Sequence, residues 1–378
     1  MRIAVNTRLL LPHTLEGIGW FSYETLKRIT LQHPEHEFLF IFDRPFSEEF
    51  VFSSNITPLV AHPPSRHPLL WYLFFEWSIP YMLNKHKADL FFSPDGWLSL
   101  RTDLPQLNVI HDLGFEHFPE HLKFSYSLYC RHYFPLFAQK AKRIATVSEF
   151  SKQDIANLYH IPTQKIDVVY NGANQVYKPI DEEHKQITRQ KYAQNCDYFI
   201  FIGAMHQRKN LANLFSAFDI FKKQHPSQCK LLMIGSTKLW NTEIEQAYHT
   251  MEHKAEVLFL GRLEPEELAC VLSASIALCY PSFFEGFGIP IIEAYHAETA
   301  VITANTSAMP EIAGDAALLI DPYSIESIAN AMQALASDST LRKQYIDKGR
   351  NQRKKFSWDQ SAEKLWHSIE TTIESSIV

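Results

Sequence analysis

The chain has 378 residues, of which 46% are hydrophobic, and a formal net charge of −6. This length exceeds what one hydrophobic core ordinarily serves, so two domains are expected, and the hydrophobic content excludes long disorder. The acidic balance gives no reason to expect a nucleic-acid partner. Five cysteines without CxxC spacing predict free thiols and a reducing, cytoplasmic compartment. The first residues read as a strand rather than a signal peptide, and no run approaches the ~20 apolar residues of a membrane span.

Short apolar runs alternate with helical patterns along most of the chain. The predicted strands are 3–5, 38–42, 90–92, 107–110, 144–147 and 167–169 in the first half, and 198–202, 230–234, 257–260, 276–280, 300–303 and 317–320 in the second. The predicted helices include 18–30, 181–194, 211–223, 265–273, 325–335 and 358–372. This alternation indicates an α/β protein with two doubly wound parallel sheets of about six strands each, facing each other. A turn-rich stretch at 171–180 marks the boundary between the two domains.

The stretch 281–293 carries two carboxylates, Glu285 and Glu293, eight residues apart. It follows a predicted strand and contains Gly286 and Gly288, and Pro290 suits the first turn of a helix. Open α/β sheets bind ligands at such strand ends, and a helix start favours anions. The carboxylates are then expected to hold hydroxyl groups of a sugar and a ribose. The alternative is an ordinary turn with two solvated glutamates.

A basic pair, Arg208 and Lys209, follows the strand that ends at Gly203 and is predicted to lie at the start of a helix. Cations at that end oppose the helix dipole, which makes sense if an anion binds between them. A guanidinium fork and an ammonium group together suit a diphosphate. The alternative is an exposed basic pair at a helix tip.

A glycine loop opens the first predicted helix at Gly17 and Gly19. Together with Asp43 at the end of the second strand, it is similar to a dinucleotide-binding fingerprint. The third glycine is missing, because position 22 is Ser22, and the loop before Gly17 is long. Such a loop suits an interdomain cleft better than a pyrophosphate cradle.

Histidines give weaker signals. His111, followed by Asp112, ends a first-domain strand and could position a substrate hydroxyl or serve acid–base chemistry. His117 and His121 are four residues apart, but no third ligand is evident, so no metal site is predicted. The chain has no Asp-x-Asp, the usual clamp for a metal-bound diphosphate.

The aromatic-rich segment 69–80 admits two interpretations. It could face an apolar acceptor or a membrane surface. Few basic residues lie near it in the sequence apart from Lys85 and Lys87, and a buried core helix is the favoured interpretation.

Taken together, these motifs resemble the retaining group-1 (family 4) glycosyltransferases, whose fold is GT-B. The resemblance covers nearly the whole chain. Its strongest part is the E-x7-E motif from Glu285 to Glu293 within P-S-x-x-E-G-F-G-x-P. Further matches, in chain order, are 146–152, 170–172, the G-x-x-x-x-R-K-N-L segment 203–211, 261–263 and 305–311.

The resemblance implies a role for each matching residue. Arg208 and Lys209 would bind the donor diphosphate, Glu293 the ribose hydroxyls, and Glu285 the donor-sugar hydroxyls near the reaction centre. Gly203, in the segment that carries the basic pair, would also contact the donor. The backbone N–H groups of Phe287, Gly288 and Ile289 would bind phosphate or sugar, and the backbone around Arg262 would contact the base. In the first domain, Gly19 would lie by the diphosphate and His111 by the donor sugar.

The resemblance also implies the reaction and the layout. Residues 1–178 would form the acceptor-binding Rossmann-like domain and 179–357 the donor-binding one, with a C-terminal helix at 358–378 crossing back onto the first. The implied reaction is metal-independent and needs no cofactor, and it moves a hexose, best matched by mannose from GDP-mannose, to a glycan or lipid-linked glycan acceptor in surface polysaccharide biosynthesis. UDP-glucose and UDP-N-acetylglucosamine stay open as donors, as does peripheral contact with the cytoplasmic membrane face. The alternatives are a nucleotide-sugar 2-epimerase of the same fold, an NAD-dependent dehydrogenase and a non-catalytic sugar-binding protein.

Overall fold

The computed structural model describes residues 1–12, 15–65, 67–225 and 228–374. The chain divides into two compact units, one of residues 1–171 with 357–378 and the other of residues 172–356. The second unit thus begins at Gly172, a few residues before the boundary expected at 178. No helix in the described ranges combines the length and the apolar character needed to cross a membrane.

The first unit is built on a parallel sheet of seven strands in the order β3-β2-β1-β4-β5-β6-β7. Its strands are β1 Arg2–Asn6, β2 Glu37–Phe42, β3 Ile56–Val60, β4 Leu90–Ser93, β5 Gln106–Val109, β6 Arg143–Thr146 and β7 Ile166–Val168. Its first helices are α1 Gly17–Gln32, α2 Pro68–Leu73, α3 Ile79–Lys85, α4 Gly114–His117, α5 Phe124–Lys140 and α6 Glu149–Tyr159. A π-helical turn, Phe74–Ser78, joins α2 to α3.

Strand β3 is absent from the sequence prediction, which expected about six strands here. Its sequence contains Pro58, and a proline cannot donate a ladder hydrogen bond, so proline argues against a central strand. The structure places β3 at the edge of the sheet, paired only with β2, where proline is tolerated.

The second unit is built on a parallel sheet of six strands in the order β10-β9-β8-β11-β12-β13. Its strands are β8 Tyr198–Ile202, β9 Lys230–Ile234, β10 Val257–Gly261, β11 Ala277–Tyr280, β12 Ala300–Ala304 and β13 Leu318–Ile320. Its helices are α7 Glu182–Ala193, α8 Leu211–Gln224, α9 Thr242–Thr250, α10 Pro265–Ser273, α11 Ile289–His296, α12 Met309–Ala313, α13 Ile325–Ser337 and α14 Ser339–Gln352.

The central strands of both sheets are buried on both faces, which explains their continuous apolar sequences. Polar residues mark several helix starts, because a side-chain oxygen there satisfies a backbone N–H that has no partner within the helix. Asp181 caps α7 in this way and Ser324 caps α13. These local signals place most element boundaries within one or two residues of the prediction.

The last helix, α15 Trp358–Glu374, belongs to the first unit. It packs on α1, where Trp358 meets the edge of Phe21 and Trp366 stacks on His33. The Ser361 hydroxyl also donates a hydrogen bond to the Tyr170 carbonyl. Residues 375–378 of the predicted helix 358–378 lie outside the described residues.

Candidate functional site

The site in the second unit lies where its sheet changes winding direction. Strands β8 and β11 are neighbours, and the strands after each of them continue toward opposite edges. The loops that leave the carboxyl ends of two such strands flank a crevice, which is where open α/β sheets bind ligands. Here the two loops are tied together, because the Phe283 N–H donates to the Arg208 carbonyl over 2.9 Å.

These loops bring three charged side chains into contact, and we call Arg208, Lys209 and Glu285 the charge cluster. The Lys209 ammonium group lies 2.6 Å from Oε1 of Glu285, and the Arg208 guanidinium lies 3.1 Å from Oε2. Lys209 also donates to the hydroxyl of Tyr280 over 2.7 Å. Two cations share one carboxylate, so the cluster carries one net positive charge at neutral pH.

The carboxyl group of the charge cluster stays ionised at any physiological pH. Burial by itself would raise the pKa of Glu285, but Arg208 and Lys209 outweigh it and lower that pKa to about 2. The Glu285 backbone is held as well, because its N–H donates to the Ser307 hydroxyl over 3.0 Å. The carboxylate is therefore a fixed negative charge with two fixed cations beside it.

The basic pair does not begin the helix, which corrects the sequence prediction. It lies in a 3-10 turn, Gln207–Lys209, and α8 begins at Leu211. Asn210, between them, has a left-handed backbone with φ of 61°. Its side-chain amide donates to the carbonyls of Pro281, over 3.0 Å, and Pro322, over 2.6 Å, which locks the basic turn to the loop after β11.

The second carboxylate of the motif has a different environment. Glu293 lies on α11 and is half-buried, and Tyr177 makes a side-chain hydrogen bond with it. Burial raises the pKa of Glu293 to about 7, and the Tyr177 hydrogen bond opposes that rise only in part. The two glutamates of one motif therefore differ in charge at mildly acidic pH.

The loop between the two glutamates turns into α11 at Gly288. This residue has φ of 99°, a left-handed conformation that favours glycine, and it precedes Ile289, the first residue of the helix. Phe287 is buried, with its ring against the edge of Phe356 at 5.6 Å between centroids. The N–H groups of 287–289 thus lie at a helix start, as predicted from Pro290.

Two other predicted contacts of the second unit lie at strand ends. Gly203 directly follows β8, and its N–H donates to the Ile234 carbonyl over 2.9 Å. Arg262 directly follows β10 and is exposed. Strands β8, β9 and β10 are parallel neighbours, so their carboxyl ends lie on the same side of the sheet. Gly203 and Arg262 therefore lie on the same side as the charge cluster.

His111 belongs to the first unit, just after β5. Its Nε2 lies 2.8 Å from the carbonyl oxygen of Pro94, and a carbonyl can only accept, so Nε2 carries the hydrogen and Nδ1 is the acceptor nitrogen. Burial lowers the pKa of His111, against the opposing effect of that hydrogen bond. A neutral imidazole with one acceptor nitrogen can bind a hydroxyl group. The edge of Phe21 packs against its ring.

Gly19 lies inside α1 and is buried. A Cβ atom there would come 3.1 Å from the Leu9 carbonyl oxygen and 3.1 Å from a methyl group of Leu15. A side chain at this position would push the preceding loop away from the helix. Packing within the first unit therefore favours glycine at position 19, independently of any ligand.

The residues that suggested a dehydrogenase are engaged otherwise. The Asp43 carboxylate is fully buried and accepts hydrogen bonds from Arg44 and from the side chain and backbone of Ser65. It is therefore not presented to a ribose.

His117 contacts Asp154 over 2.9 Å, and among the described residues no group of three His, Cys, Asp or Glu side chains is arranged to hold a metal ion.

Sequence reasoning missed several residues of the site. Tyr280 ends the predicted strand 276–280 and was not predicted to belong to the site, although its hydroxyl accepts a hydrogen bond from Lys209. Tyr177 lay in the predicted boundary stretch. Asn210 and Ser307 belong to motif segments that were recognised, but nothing in those segments indicates that they fasten the loops.

Comparisons with known proteins identify the family. A family model described as "Glycosyl transferases group 1" matches residues 182–352, and one described as "Glycosyltransferase Family 4" matches residues 28–175. The chain belongs to the group-1, family-4 glycosyltransferases. This family is retaining and metal-independent. Membership of a glycosyltransferase family sets aside the NAD-dependent dehydrogenase.

One relative agrees with that assignment, and two solved structures share the fold. The chain is 27% identical over 361 residues to the O-antigen chain mannosyltransferase B of Escherichia coli, which covers 92% of this chain and 94% of the relative. Sucrose-phosphate synthase from Thermosynechococcus elongatus has a similar structure, with a TM-score of 0.80, 16% identity and 99% of each chain covered. Anabaena Alr3699/HepE in complex with UDP and glucose gives a TM-score of 0.76 at 16% identity, over 98% of this chain and 100% of that one. The fold is GT-B.

Proposed function

We propose that this glycosyltransferase works in the cytoplasm and moves a hexose, mannose from GDP-mannose in the first instance, to a glycan or lipid-linked glycan acceptor during surface polysaccharide biosynthesis. The observation that carries the proposal is the charge cluster, because it supplies fixed cations where the family's donor diphosphate is expected. The similarity to an O-antigen mannosyltransferase over 92% of the chain supports the choice of sugar and pathway.

In the proposed complex, Arg208 and Lys209 bind the diphosphate of the donor. Breaking the bond between the anomeric carbon and the diphosphate places negative charge on the phosphate oxygens. Two cations held by Glu285, Tyr280 and the backbone need little reorganisation when that charge develops. They do here what a metal ion does in other nucleotide-sugar enzymes.

Glu285 has two tasks in this proposal. Its carboxylate holds the two cations in place, and it binds hydroxyl groups of the donor sugar near the anomeric carbon. A fixed negative charge there also stabilises the positive charge that the sugar ring develops in the transition state. The pKa of about 2 keeps the group ionised for this purpose.

The remaining contacts follow from the same pose. Glu293 binds the ribose hydroxyls, and the Tyr177 hydroxyl is its partner when no donor is present. The N–H groups of Phe287, Gly288 and Ile289 bind phosphate or sugar. Gly203 lets the chain pass close to the donor, the backbone at Arg262 meets the base, Gly19 lies by the diphosphate, and His111 offers Nδ1 to a sugar hydroxyl.

The proposed step is a front-face substitution that retains the anomeric configuration. The acceptor hydroxyl oxygen forms a bond to the anomeric carbon while the bond from that carbon to the diphosphate oxygen breaks. The electron pair leaves with the nucleoside diphosphate, and the acceptor proton goes to the departing phosphate oxygen. No side chain forms a covalent intermediate, so neither glutamate is a nucleophile.

Hydrolysis of sugar nucleotides without acceptor tests the donor. GDP-mannose, UDP-glucose and UDP-N-acetylglucosamine are compared at equal concentration, with thermal shifts by GDP, UDP and NAD measured alongside. Turnover of GDP-mannose and stabilisation by GDP are expected, and EDTA should leave the turnover intact. Turnover of a UDP-sugar alone would refute the mannose assignment, and stabilisation by NAD alone would refute the donor site.

Two variants test the charge cluster. Lys209→Ala and Glu285→Ala should each lower kcat by about 10²–10³-fold, the effect of removing one preorganised group that stabilises charge in a transition state. The matched controls are Lys191→Ala and Glu267→Ala, which break an exposed 2.8 Å ion pair on the same unit. Circular dichroism and melting curves establish folding for all four. Unchanged kcat in either cluster variant would remove that residue from the proposed mechanism.

A further inference from the structure

The first unit has a groove beside helix α5. One wall is formed by the end of α4 and a 3-10 turn, Pro119–His121, and the other by the first turns of α5. Helix α5 lies on the connection from the end of β5 at Val109 to the start of β6 at Arg143, so it begins on the side of the sheet where the strands end. The groove therefore lies on the same side of the sheet as His111.

The two walls of the groove are fixed to each other. The Glu116 carboxylate accepts from Nε of Arg131 over 3.1 Å and from the Tyr159 hydroxyl over 3.0 Å. The buried rings of Phe115 and Phe134 also join the walls, packing edge to face with 4.8 Å between their centroids. The groove has a volume of about 550 Å³, within the range of small-molecule sites in proteins. A ligand would therefore enter a preformed shape.

The lining of the groove combines apolar surface with hydrogen-bonding groups. Phe124 and Leu128, four residues apart on one face of α5, are 81% and 59% exposed. Glu120, in the other wall, has 65% of its side chain exposed. Arg131 keeps 54% of its side chain exposed although its Nε is paired with a carboxylate. Exposed apolar side chains bordered by polar groups in a concave surface indicate a binding site.

The charges of the lining favour a neutral ligand that is rich in hydroxyl groups. Glu116 and Glu120 contribute two negative charges and Arg131 one positive charge, so with histidine neutral the lining carries one net negative charge. A phosphate or another anion would meet this excess of carboxylate. Hydroxyl groups can donate to the carboxylates and accept from the guanidinium. The apolar face of a sugar ring can pack on Phe124 and Leu128. These properties together describe a glycan.

The groove begins close to the residue that the proposed function places at the donor sugar. Glu116 follows His111 by five residues, so their Cα atoms are at most about 18 Å apart. Between them, the Asp112 carboxylate accepts from the Gly114 N–H over 2.8 Å, which ties the start of α4 to the end of β5. A glycan whose terminal sugar reacts beside His111 can therefore reach the groove with the sugars behind it.

We propose that the groove between α4 and α5 is a subsite for the acceptor glycan and binds the sugars that precede the one to which the hexose is added. The inference rests on the proposed function, because it takes the acceptor to be a glycan. Phe124 packs on the apolar face of one sugar, and Glu120 and Arg131 bind hydroxyl groups. The groove thus makes the enzyme prefer a growing chain to a short acceptor.

The length of the acceptor tests the proposal with the full chain. Mannobiose and mannotetraose are compared as acceptors, with the donor that the hydrolysis assay identifies. The value of kcat/KM should rise by about tenfold or more from mannobiose to mannotetraose, as expected from a hydrogen bond to a charged group. Phe124→Ala and Glu120→Ala should each remove most of that rise and leave donor hydrolysis unchanged. Phe124→Tyr keeps the ring and should keep the rise.

The matched controls are Tyr81→Ala and Glu49→Ala, which remove an exposed ring and an exposed carboxylate of the same unit outside the groove. Both should keep the dependence on acceptor length. Saturation-transfer NMR with mannotetraose and no donor separates this inference from the proposed function, because it needs no turnover. Binding that Phe124→Ala abolishes, in a protein that hydrolyses none of the donors, would count against the proposed donor and in favour of the groove.

Three results would overturn the inference: a kcat/KM that does not depend on acceptor length, an equal loss in the control variants, or mannotetraose binding that Phe124→Ala leaves unchanged. A change from dimer to monomer in Phe124→Ala, measured by analytical ultracentrifugation, would also overturn it, because it would show that a second copy of the chain covers the groove.

Discussion

Replacing Glu293 with glutamine should stabilise the protein above neutral pH and change little in acid. In the folded state, burial raises the pKa of Glu293 from 4.5 to about 7. The folded protein therefore binds more protons than the unfolded chain between these two values, and the carboxyl group costs stability as the pH rises through them. The difference corresponds to about 3 kcal/mol above pH 7, and because the group is only half-buried, about 1–3 kcal/mol is expected.

Glutamine keeps the shape and an oxygen that accepts the hydrogen bond of Tyr177, but it does not titrate. The assay is the melting temperature of both proteins between pH 5 and pH 8.5. For a unit of this size, 1 kcal/mol shifts the melting temperature by about 2–4 °C, so the variant should melt about 2–12 °C higher at pH 8. At pH 5 the two curves should nearly meet.

The exposed Glu266 of the same unit provides the control, because Glu266→Gln alters the same chemical group without burial. Its melting temperature should follow that of the unmodified protein at every pH. A Glu293→Gln advantage that is constant from pH 5 to pH 8.5 would refute the reasoning, since it would show that ionisation of this carboxyl group has no part in the effect. A uniform loss would show that glutamine cannot replace the native packing.

Two further outcomes follow from the same unit. Glu285→Gln should show the opposite pH trend, because the folded-state pKa of Glu285, about 2, lies below its unfolded value. The variant should be less stable than the unmodified protein at pH 7, by about 3 kcal/mol at most, and the difference should shrink as the pH falls below 4.5. Parallel melting curves of the two proteins across that range would contradict this. Gly235→Ala should cost several kcal/mol in the free energy of unfolding, because its Cβ would lie 1.9 Å from the Gly203 carbonyl oxygen. Gly261 also has a positive φ, but a Cβ atom there would meet nothing within 4 Å, so Gly261→Ala should cost only about 1 kcal/mol. Both free energies of unfolding are measured by chemical denaturation, and equal losses in the two variants would show that the clash at Gly235 does not contribute.

The family and the fold followed from local sequence signals. Alternating apolar runs and helical patterns predicted two parallel sheets, because the spacing of apolar residues indicates which side of a helix or strand is buried. The spacing from Glu285 to Glu293 and the basic pair after Gly203 predicted a donor site at strand ends, and the structure places these residues after β8 and β11. Strand β3 was missed because Pro58 argues against a strand in the sequence. The structure explains it, because β3 lies at the edge of the sheet, where proline is tolerated.

Other properties were decided by tertiary structure alone. Glu285 and Glu293 look alike in the sequence, yet the pKa of the first is about 2 and that of the second about 7. The difference arises because Lys209, 76 residues before Glu285 in the chain, and its neighbour Arg208 contact Glu285 and not Glu293. The segment 69–80 was expected to be a buried core helix, and only half of it is. Sequence records which side chains are apolar and charged, whereas which of them meet, and which stay in contact with solvent, depends on contacts between residues far apart in the chain.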